Sequence, residues 1–222
     1  MDAFSVSCTG PFLVAEFSAP QAMLSWSLTR PGFVMARKVA WLHVRNDDLP
    51  LGVDPAELLE TRMAAAGHQD AVHLMTSRDV SHHHLATALS GKVTATCLAT
   101  VGLGNAARVG SAPMDGRPVG TINLLAHVDR PLSEGALVEA VSIAAQARTA
   151  AVIDLDLRLD GKPVTGTGTD CIVVAASGIG GGEAFAGLHT DVGAAIGRAV
   201  YDAVRQGGAV WISERRELAA VR

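Results

Sequence analysis

One stretch constrains the fold of this chain more than any other. Residues 165–176, TGTGTDCIVVAA, join a polar loop with two glycines to a continuous apolar run. Such a run, bounded by turn residues, is typical of a strand buried on both faces of its sheet. A polar loop held by a core strand is a usual way to build a functional site, and a simple threonine–glycine turn is the structural alternative. We expect Thr167, Thr169 and Asp170 to belong to a site, with Gly166 and Gly168 allowing close approach to the main chain.

The composition indicates a compact globular protein. Of 222 residues, 49% are hydrophobic and 18% charged, and the net charge is −4. This balance excludes a disordered chain and offers no electropositive face for a nucleic acid. The apolar runs look too short to cross a bilayer, so we expect a cytoplasmic protein without a membrane partner. Cys8, Cys97 and Cys171 form no CxxC pair and are expected to be reduced core thiols.

The order of periodic segments predicts one mixed α+β domain over residues 1–222. We expect β-sheets covered by helices, with a layered α/β sandwich as one form of that class. Turn residues such as Pro20 separate the early strands, and Asp54, Ser133 and Thr190 are predicted helix caps. The last helix is expected to stop at Gly207–Gly208. The predicted strands are 12–17, 22–27, 39–44, 71–75, 92–100, 121–128 and 172–176.

Two familiar motifs are weak in this sequence. His82, His83 and His84 are consecutive, so they cannot all point toward one metal ion, and a solvated loop or helix start is the better interpretation. We therefore expect no metal site. Residues 102–107, GLGNAA, resemble a dinucleotide fingerprint, but that motif requires a helix immediately after its glycines. Prolines and a glycine within residues 113–118 exclude a long helix there.

The remaining histidines differ in their surroundings. His43, His73 and His127 lie in predicted strands, where a half-buried, hydrogen-bonded imidazole is the expected role. His189 precedes a predicted helix start, where it can be both exposed and fixed. The N–H groups of a helix start can also stabilise an oxyanion, although a capping turn at Thr190 explains the same residues.

Two asparagines offer neutral donor–acceptor groups at strand ends. Asn105 and Asn123 stand next to glycine or threonine, where asparagine often only closes a turn. A carboxamide side chain is equally suited to binding a substrate amide.

Five short segments stand out in this sequence: VGLGNA (101–106), VGTIN (119–123), AQARTAA (145–151), TGTGTDCIVV (165–174) and AGLHTDVG (186–193). Together they resemble the adenosylcobinamide amidohydrolase (CbiZ) family. Their order and spacing match the family pattern over residues 93–204, and residues 37–46 match it more loosely. Arg148, in the third of these segments, stands where the pattern has a lysine.

The resemblance implies hydrolysis of the amide that joins aminopropanol to the corrin ring of adenosylcobinamide. The products would be adenosylcobyric acid and 1-aminopropan-2-ol, in a salvage step toward coenzyme B12. The cobalt belongs to the substrate, so no protein cofactor is implied. The small-molecule corrinoid is the expected partner, and a homo-oligomer stays open.

Within this interpretation we expect a water molecule to attack the amide, with Asp170 or His189 as the general base. Backbone N–H groups near Gly166–Gly168 or at Thr190 would hold the oxyanion, and a threonine nucleophile is the main rival. Two other functional classes stay open: a hydrolase or acyltransferase of small amides, similar to DmpA-type aminopeptidases, and a corrinoid-binding protein without catalysis. The residues expected to position the substrate are Asn105, Thr121, Asn123, Gly166, Thr167, Gly168, Thr169 and Thr190.

Overall fold

A computed structural model describes residues 2–112, 119–178 and 182–220. Three α-helices, α1 (Pro55–Ala65), α2 (Glu134–Ile153) and α3 (Asp191–Ala220), accompany the strands within these residues. The strands are β1 (Ser5–Thr9), β2 (Phe12–Ser25), β3 (Gly32–His43), β4 (Val72–Thr76), β5 (His83–Ser90), β6 (Val93–Val101), β7 (Ala106–Ala107), β8 (Ile122–Val128), β9 (Arg158–Leu159), β10 (Lys162–Pro163), β11 (Gly166–Thr167) and β12 (Cys171–Ala176).

One large sheet carries the fold. Its strand order is β4-β3-β2-β12-β8-β6-β5, with β1 paired to β2. The pairs β3–β4 and β8–β12 are parallel and the others are antiparallel. The register of β2 against β3 shifts between Glu16 and Gln21, which marks a bulge, and a bulge bends its strand. The long β2 therefore belongs to two halves of the sheet.

Three apolar cores divide the molecule into layers. The largest lies between α2 and α3 and one face of β6, β8 and β12, and includes Ile122, Leu124 and Val174. Alternate residues of the same strands, such as Leu125 and Val173, face a second core shared with β2, β3 and β4. A third core joins α1 to the outer face of β3 and β4. The large mixed sheet with helices packed on it confirms the predicted α+β class and is consistent with a layered α/β arrangement.

The predicted helix starts are confirmed. Asp54 accepts hydrogen bonds from the N–H groups of the first turn of α1, and Ser133 does the same for α2. Thr190 Oγ1 accepts from the N–H of Gly193 at 2.9 Å, so Thr190 caps α3. Each cap satisfies donors that the helix itself leaves unpaired.

Three expectations about element bounds are wrong. Residues 12–25 form one strand, because Pro20 falls at the bulge and does not interrupt the pairing on either side. His83 and His84 begin β5, and they are neither in a loop nor at the start of an α-helix. The helix α3 continues through Gly207–Gly208 to Ala220. A Cβ on Gly207 would lie 2.7 Å from Val101 Cγ2, so glycine there permits close packing and does not end the helix.

The helix α2 is more apolar than expected. The helix has 20 residues and contains an 18-residue window with a mean hydropathy of 1.4, so by length and composition it could span a membrane, contrary to the expectation from sequence. It packs against β12 and α3 and buries residues such as Ile143 and Val152 in the largest core, which also accounts for its apolarity. Of the cysteines, Cys97 and Cys171 are buried as expected, whereas Cys8 is exposed; all three are free.

Candidate active site

A cavity of about 580 Å³ opens between the two sheet halves, at the end where β8 and β12 begin and β4 ends. It lies at the edge of the second core, with polar loop residues around its mouth. Such a cleft at strand ends is a common place for a ligand site. Its walls include Trp26, Ser27, Leu28, His73, Leu74, Met75, Thr76, Ser77, Asn105, Val119, Gly120, Thr121, Asn123, Gly168, Thr169, Asp170 and Cys171.

Six of the ten residues predicted for the site line this cavity: Asn105, Thr121, Asn123, Gly168, Thr169 and Asp170. They come from three separate parts of the chain, which the strand pairing brings together. Cys171 pairs with Asn123 in the parallel ladder of β12 and β8, and Asn123 pairs with Thr100 of β6 on the other side. The predicted loop and both predicted asparagines therefore meet at one place.

Asn123 spans the gap between the two sheet halves. Its Nδ2 donates to the carbonyl oxygen of Met75 in β4 at 2.6 Å. Its Oδ1 lies 3.3 Å from Thr121 Oγ1, and that hydroxyl donates to the carbonyl oxygen of Thr169 at 2.6 Å. Asn123 and Thr121 thus hold the back of the cavity in one arrangement.

Unpaired polar atoms also face this cavity. Asn105 Nδ2 donates to Thr169 Oγ1 at 3.3 Å, and Thr169 Oγ1 donates to the carbonyl oxygen of Gly120 at 2.9 Å. Asn105 Oδ1 and Ser27 Oγ are buried and have no hydrogen-bond partner among the described residues. A buried polar atom without a partner is costly, so a bound molecule that pairs with these two atoms recovers free energy.

Asp170 connects the loop to the helical layer. Its carboxylate forms an ion pair with Arg148 of α2 and accepts hydrogen bonds from Thr167 Oγ1 and from the N–H of Ile122. The side chains of Asp170 and Arg148 are 8% and 18% exposed. Burial lowers the pKa of Arg148, because desolvation disfavours its charged form. The neighbouring carboxylate supplies the opposite charge that such a buried guanidinium requires.

The two loop glycines have different surroundings. A Cβ on Gly166 would lie 2.6 Å from Arg148 Nη1 and 3.0 Å from Asp170 Oδ2, so the ion pair fits only above a glycine. A Cβ on Gly168 would come no closer than 3.6 Å to its nearest neighbour, Asn105 Nδ2. Gly166 and Thr167 form the short strand β11 and do not line the cavity. They support the loop from behind.

His189 and Thr190 lie at the opposite end of the sheet. Asp191, the first residue of α3, accepts from Ser90 Oγ at 2.7 Å, and Ser90 pairs with Val93 at the start of β6. The cavity is at the other end of β6, eight residues along, roughly 25 Å at the usual rise of a strand. The expectation that His189 and Thr190 share a site with Asp170 is therefore not met. The loop before α3 and the loop before β12 serve opposite ends of the sheet.

Another histidine, His73, does line the cavity. Its Nε2 lies 2.8 Å from the carbonyl oxygen of His68, and its Nδ1 lies 2.9 Å from Thr29 Oγ1. The carbonyl can only accept, so Nε2 carries the proton and Nδ1 accepts from the threonine hydroxyl. Burial lowers the pKa of His73, which keeps the ring neutral. This agrees with the hydrogen-bonded role expected from sequence.

Sequence reasoning missed several residues of the site. Ser27 and Trp26 follow β2 directly and carry no motif that would single them out. Arg148 lies 22 residues before Asp170 on a helix, and only its place in the family pattern drew attention to it. Burial raises the pKa of Cys171 to about 12, so this cavity residue is a neutral thiol and a poor nucleophile.

No cluster of three or more histidine, cysteine or acidic side chains suited to a metal ion occurs among residues 2–112, 119–178 and 182–220. The last two residues of the GLGNAA segment form the strand β7 and do not open a helix, so the segment lacks the geometry of a dinucleotide site. The histidines at 82–84 have other contacts. His82 Nδ1 lies 2.7 Å from Glu214 Oε1, and His83 Nδ1 lies 2.9 Å from the Val80 carbonyl oxygen.

Comparison with known proteins identifies the family. The family model described as adenosylcobinamide amidohydrolase matches residues 1–216. This chain belongs to the adenosylcobinamide amidohydrolase family. A Halobacterium salinarum protein named adenosylcobinamide amidohydrolase is 34% identical over 202 residues, which cover 86% of this chain and 82% of that protein. The family assignment makes this protein an amidohydrolase, and the match also includes the N-terminal third that resembled the family only loosely.

The other similarities are partial or weak and add little. An uncharacterized Methanocaldococcus jannaschii protein is 38% identical over 85 residues, covering 37% of this chain and 33% of that protein. The matches to two solved structures each cover 92% of this chain and 82% of the matched chain. The PH0078 protein of Pyrococcus horikoshii OT3 has 11% sequence identity and a TM-score of 0.49. A Burkholderia sp. beta-aminopeptidase has 14% sequence identity and a TM-score of 0.43. These scores are too low to transfer fold or activity.

Proposed function

We propose that this protein hydrolyses the amide that joins aminopropanol to a side chain of adenosylcobinamide. The products are adenosylcobyric acid and 1-aminopropan-2-ol, and the step salvages corrinoid for coenzyme B12 synthesis. One observation carries this proposal. The chain belongs to the amidohydrolase family, and the wall of its cavity includes two residues with unpaired polar atoms, Asn105 Oδ1 and Ser27 Oγ. An amide substrate has both the donor and the acceptor that those atoms lack.

The reaction adds water across the C–N bond. The water oxygen attacks the amide carbonyl carbon, a base removes a water proton, and the departing amine takes up a proton as the C–N bond breaks. Asp170 is the proposed base, since its ion pair with Arg148 favours the charged carboxylate that can accept a proton. The N–H groups of Gly168 and Thr169 have no acceptor among the described residues and are suited to the oxyanion.

Four further cavity residues would position the substrate. Asn105 and Thr169 stand beside the exposed loop, and Thr121 and Asn123 form the back wall. Gly166 and Thr167 act on the substrate only through the loop that they support. The proposal requires no cofactor held by the protein, because the cobalt arrives with the substrate. A cytoplasmic location fits this chemistry and stays a prediction.

Incubation with adenosylcobinamide followed by mass spectrometry tests the proposal. We expect a carboxylic-acid corrinoid and free 1-aminopropan-2-ol in equal amounts. Corrinoid that binds and is recovered unchanged would support a binding protein without catalysis. Two bands on a denaturing gel, produced by self-cleavage, would instead support an aminopeptidase-like hydrolase.

A further inference from the structure

The mouth of the cavity carries apolar side chains that the hydrolytic chemistry does not require. Trp26 is 48% exposed, Leu28 57% and Val119 54%, and all three line the cavity. Trp26 is the one tryptophan, tyrosine or phenylalanine among the described residues that line it. Exposed apolar side chains that cluster beside a cavity, in a protein with few aromatic residues, indicate a contact surface.

The indole of Trp26 has a fixed orientation. Trp26 follows Ser25, the last residue of β2, which pairs with Val173 of β12. The indole Nε1 donates to the carbonyl oxygen of Asp170 at 2.8 Å. The polar edge of the ring is therefore turned toward the Asp170 loop, and apolar ring surface is left in solvent. A ring that is already ordered loses little entropy when a flat partner stacks on it.

The size of the cavity limits what can enter it. A volume of about 580 Å³ suits a drug-sized molecule. A cobalt corrin with its amide side chains and an adenosyl ligand is considerably larger than that. One amide side chain fits inside, while the macrocycle has to stay at the mouth, where an apolar surface is needed.

We propose that Trp26, together with Leu28 and Val119, forms a platform for the corrin ring of the substrate while one amide side chain enters the cavity. This inference rests on the proposed function for the identity of the ring. The platform binds a part of the molecule that the reaction leaves unchanged. Its contribution to binding is therefore the same for the amide substrate and for the acid product.

Replacement of Trp26 separates the platform from other roles. We expect Trp26→Ala to raise the KM for adenosylcobinamide about 10-fold, a typical effect of losing an aromatic stacking partner, with kcat within about 3-fold. Trp26→Phe keeps a ring and loses Nε1, so its KM should rise only about 3-fold. The matched control is Leu89→Ala. Leu89 is also an exposed apolar residue, at 71%, and it lies near the end of β5 that is far from the cavity.

Equilibrium dialysis with cobinamide and with cobyric acid gives a readout that needs no turnover. Trp26→Ala should weaken binding of both corrinoids by the same factor of about 10, while Leu89→Ala weakens neither. Unchanged affinity for both would overturn the platform. A loss of kcat shared by both Trp26 variants at normal KM would overturn it too, since that result assigns Trp26 to holding Asp170.

The two proposals can fail separately. If the wild-type protein binds corrinoids but releases no aminopropanol, the proposed hydrolysis fails and the dialysis still tests the platform. If hydrolysis proceeds and the affinities of the Trp26 variants are normal, only the platform is wrong.

Discussion

Asp170 holds more of the site together than any other single residue. Its carboxylate contacts Arg148 on α2, the Thr167 hydroxyl and the N–H of Ile122 at the start of β8. Its carbonyl oxygen accepts from Trp26 at the end of β2. One side chain and one peptide group thus join the helical layer, the loop and two strands. A change at this residue should affect both stability and catalysis, and the two effects can be separated.

Asp170→Asn should destabilise the fold by about 3 kcal/mol, because it leaves the buried Arg148 charge without its partner. It should also lower kcat at least about 100-fold through loss of the proposed base. Adding Arg148→Met removes the orphaned charge and should restore most of the stability without restoring activity. Urea unfolding and product release measure the two effects. A double variant that regains activity along with stability would show that Asp170 is only structural.

His189→Gln should leave kcat and KM within about 2-fold of wild type. The physical reason is distance: His189 precedes α3 at the end of the sheet where Ser90 contacts Asp191, and the cavity is at the other end. An exposed polar side chain away from the site contributes little. Steady-state kinetics with adenosylcobinamide check this. A loss of activity comparable with that of Asp170→Asn would mean that the substrate reaches both ends of the sheet.

These residues show what the sequence could and could not predict. The loop at 165–170 and the asparagines at strand ends were predictable, because turn residues and buried runs are local patterns. The position of His189 was not, since it depends on which end of the sheet each helix returns to. The pairing of Arg148 with Asp170 and the exposure of Trp26 depend on tertiary packing in the same way.

At the scale of elements, α3 shows that a glycine pair need not end a helix. Gly207 lies where α3 crosses β5 and β6, and an added Cβ would come within 3.0 Å of Val101 and His84 atoms. Further along, Glu214 pairs with Arg78, just after the cavity residue Ser77. The second half of α3 therefore packs behind the site, and its close contact depends on the absence of a side chain.

Two glycines of α3 make a matched test of that packing. Gly207→Ala should destabilise the protein by about 1 to 3 kcal/mol, because the new methyl group overpacks a tight contact. Gly197→Ala should be neutral or stabilising by up to about 1 kcal/mol, since its Cβ would lie 3.6 Å from Ile143 and alanine favours helix. Thermal unfolding of both variants gives the comparison. Equal stability would indicate that the helix shifts to accept Gly207→Ala.

For the whole molecule, the core between the two sheet halves contains a histidine. His127 is 5% exposed, packs edge-on against Phe4, and lies 3.0 Å from Ser177 Oγ through its Nε2. Burial lowers its pKa from 6.5 to about 4, and the nearby Asp129 opposes that shift only in part. The imidazole is therefore neutral in the folded protein over a pH range in which the unfolded chain would be protonated.

Acid should weaken the fold through this residue. The pKa of His127 is lower in the folded state than in the unfolded state, so the unfolded chain binds the extra proton as the pH falls from about 6.5 to about 4. The contribution of neutral His127 to the free energy of unfolding is fully present above pH 6.5. It falls by up to about 3 kcal/mol as the pH drops through that window. His127→Gln should flatten the pH dependence of the free energy of unfolding between pH 7 and pH 4, measured in urea. A His127→Gln curve as steep as that of the wild type would assign the acid sensitivity to other groups.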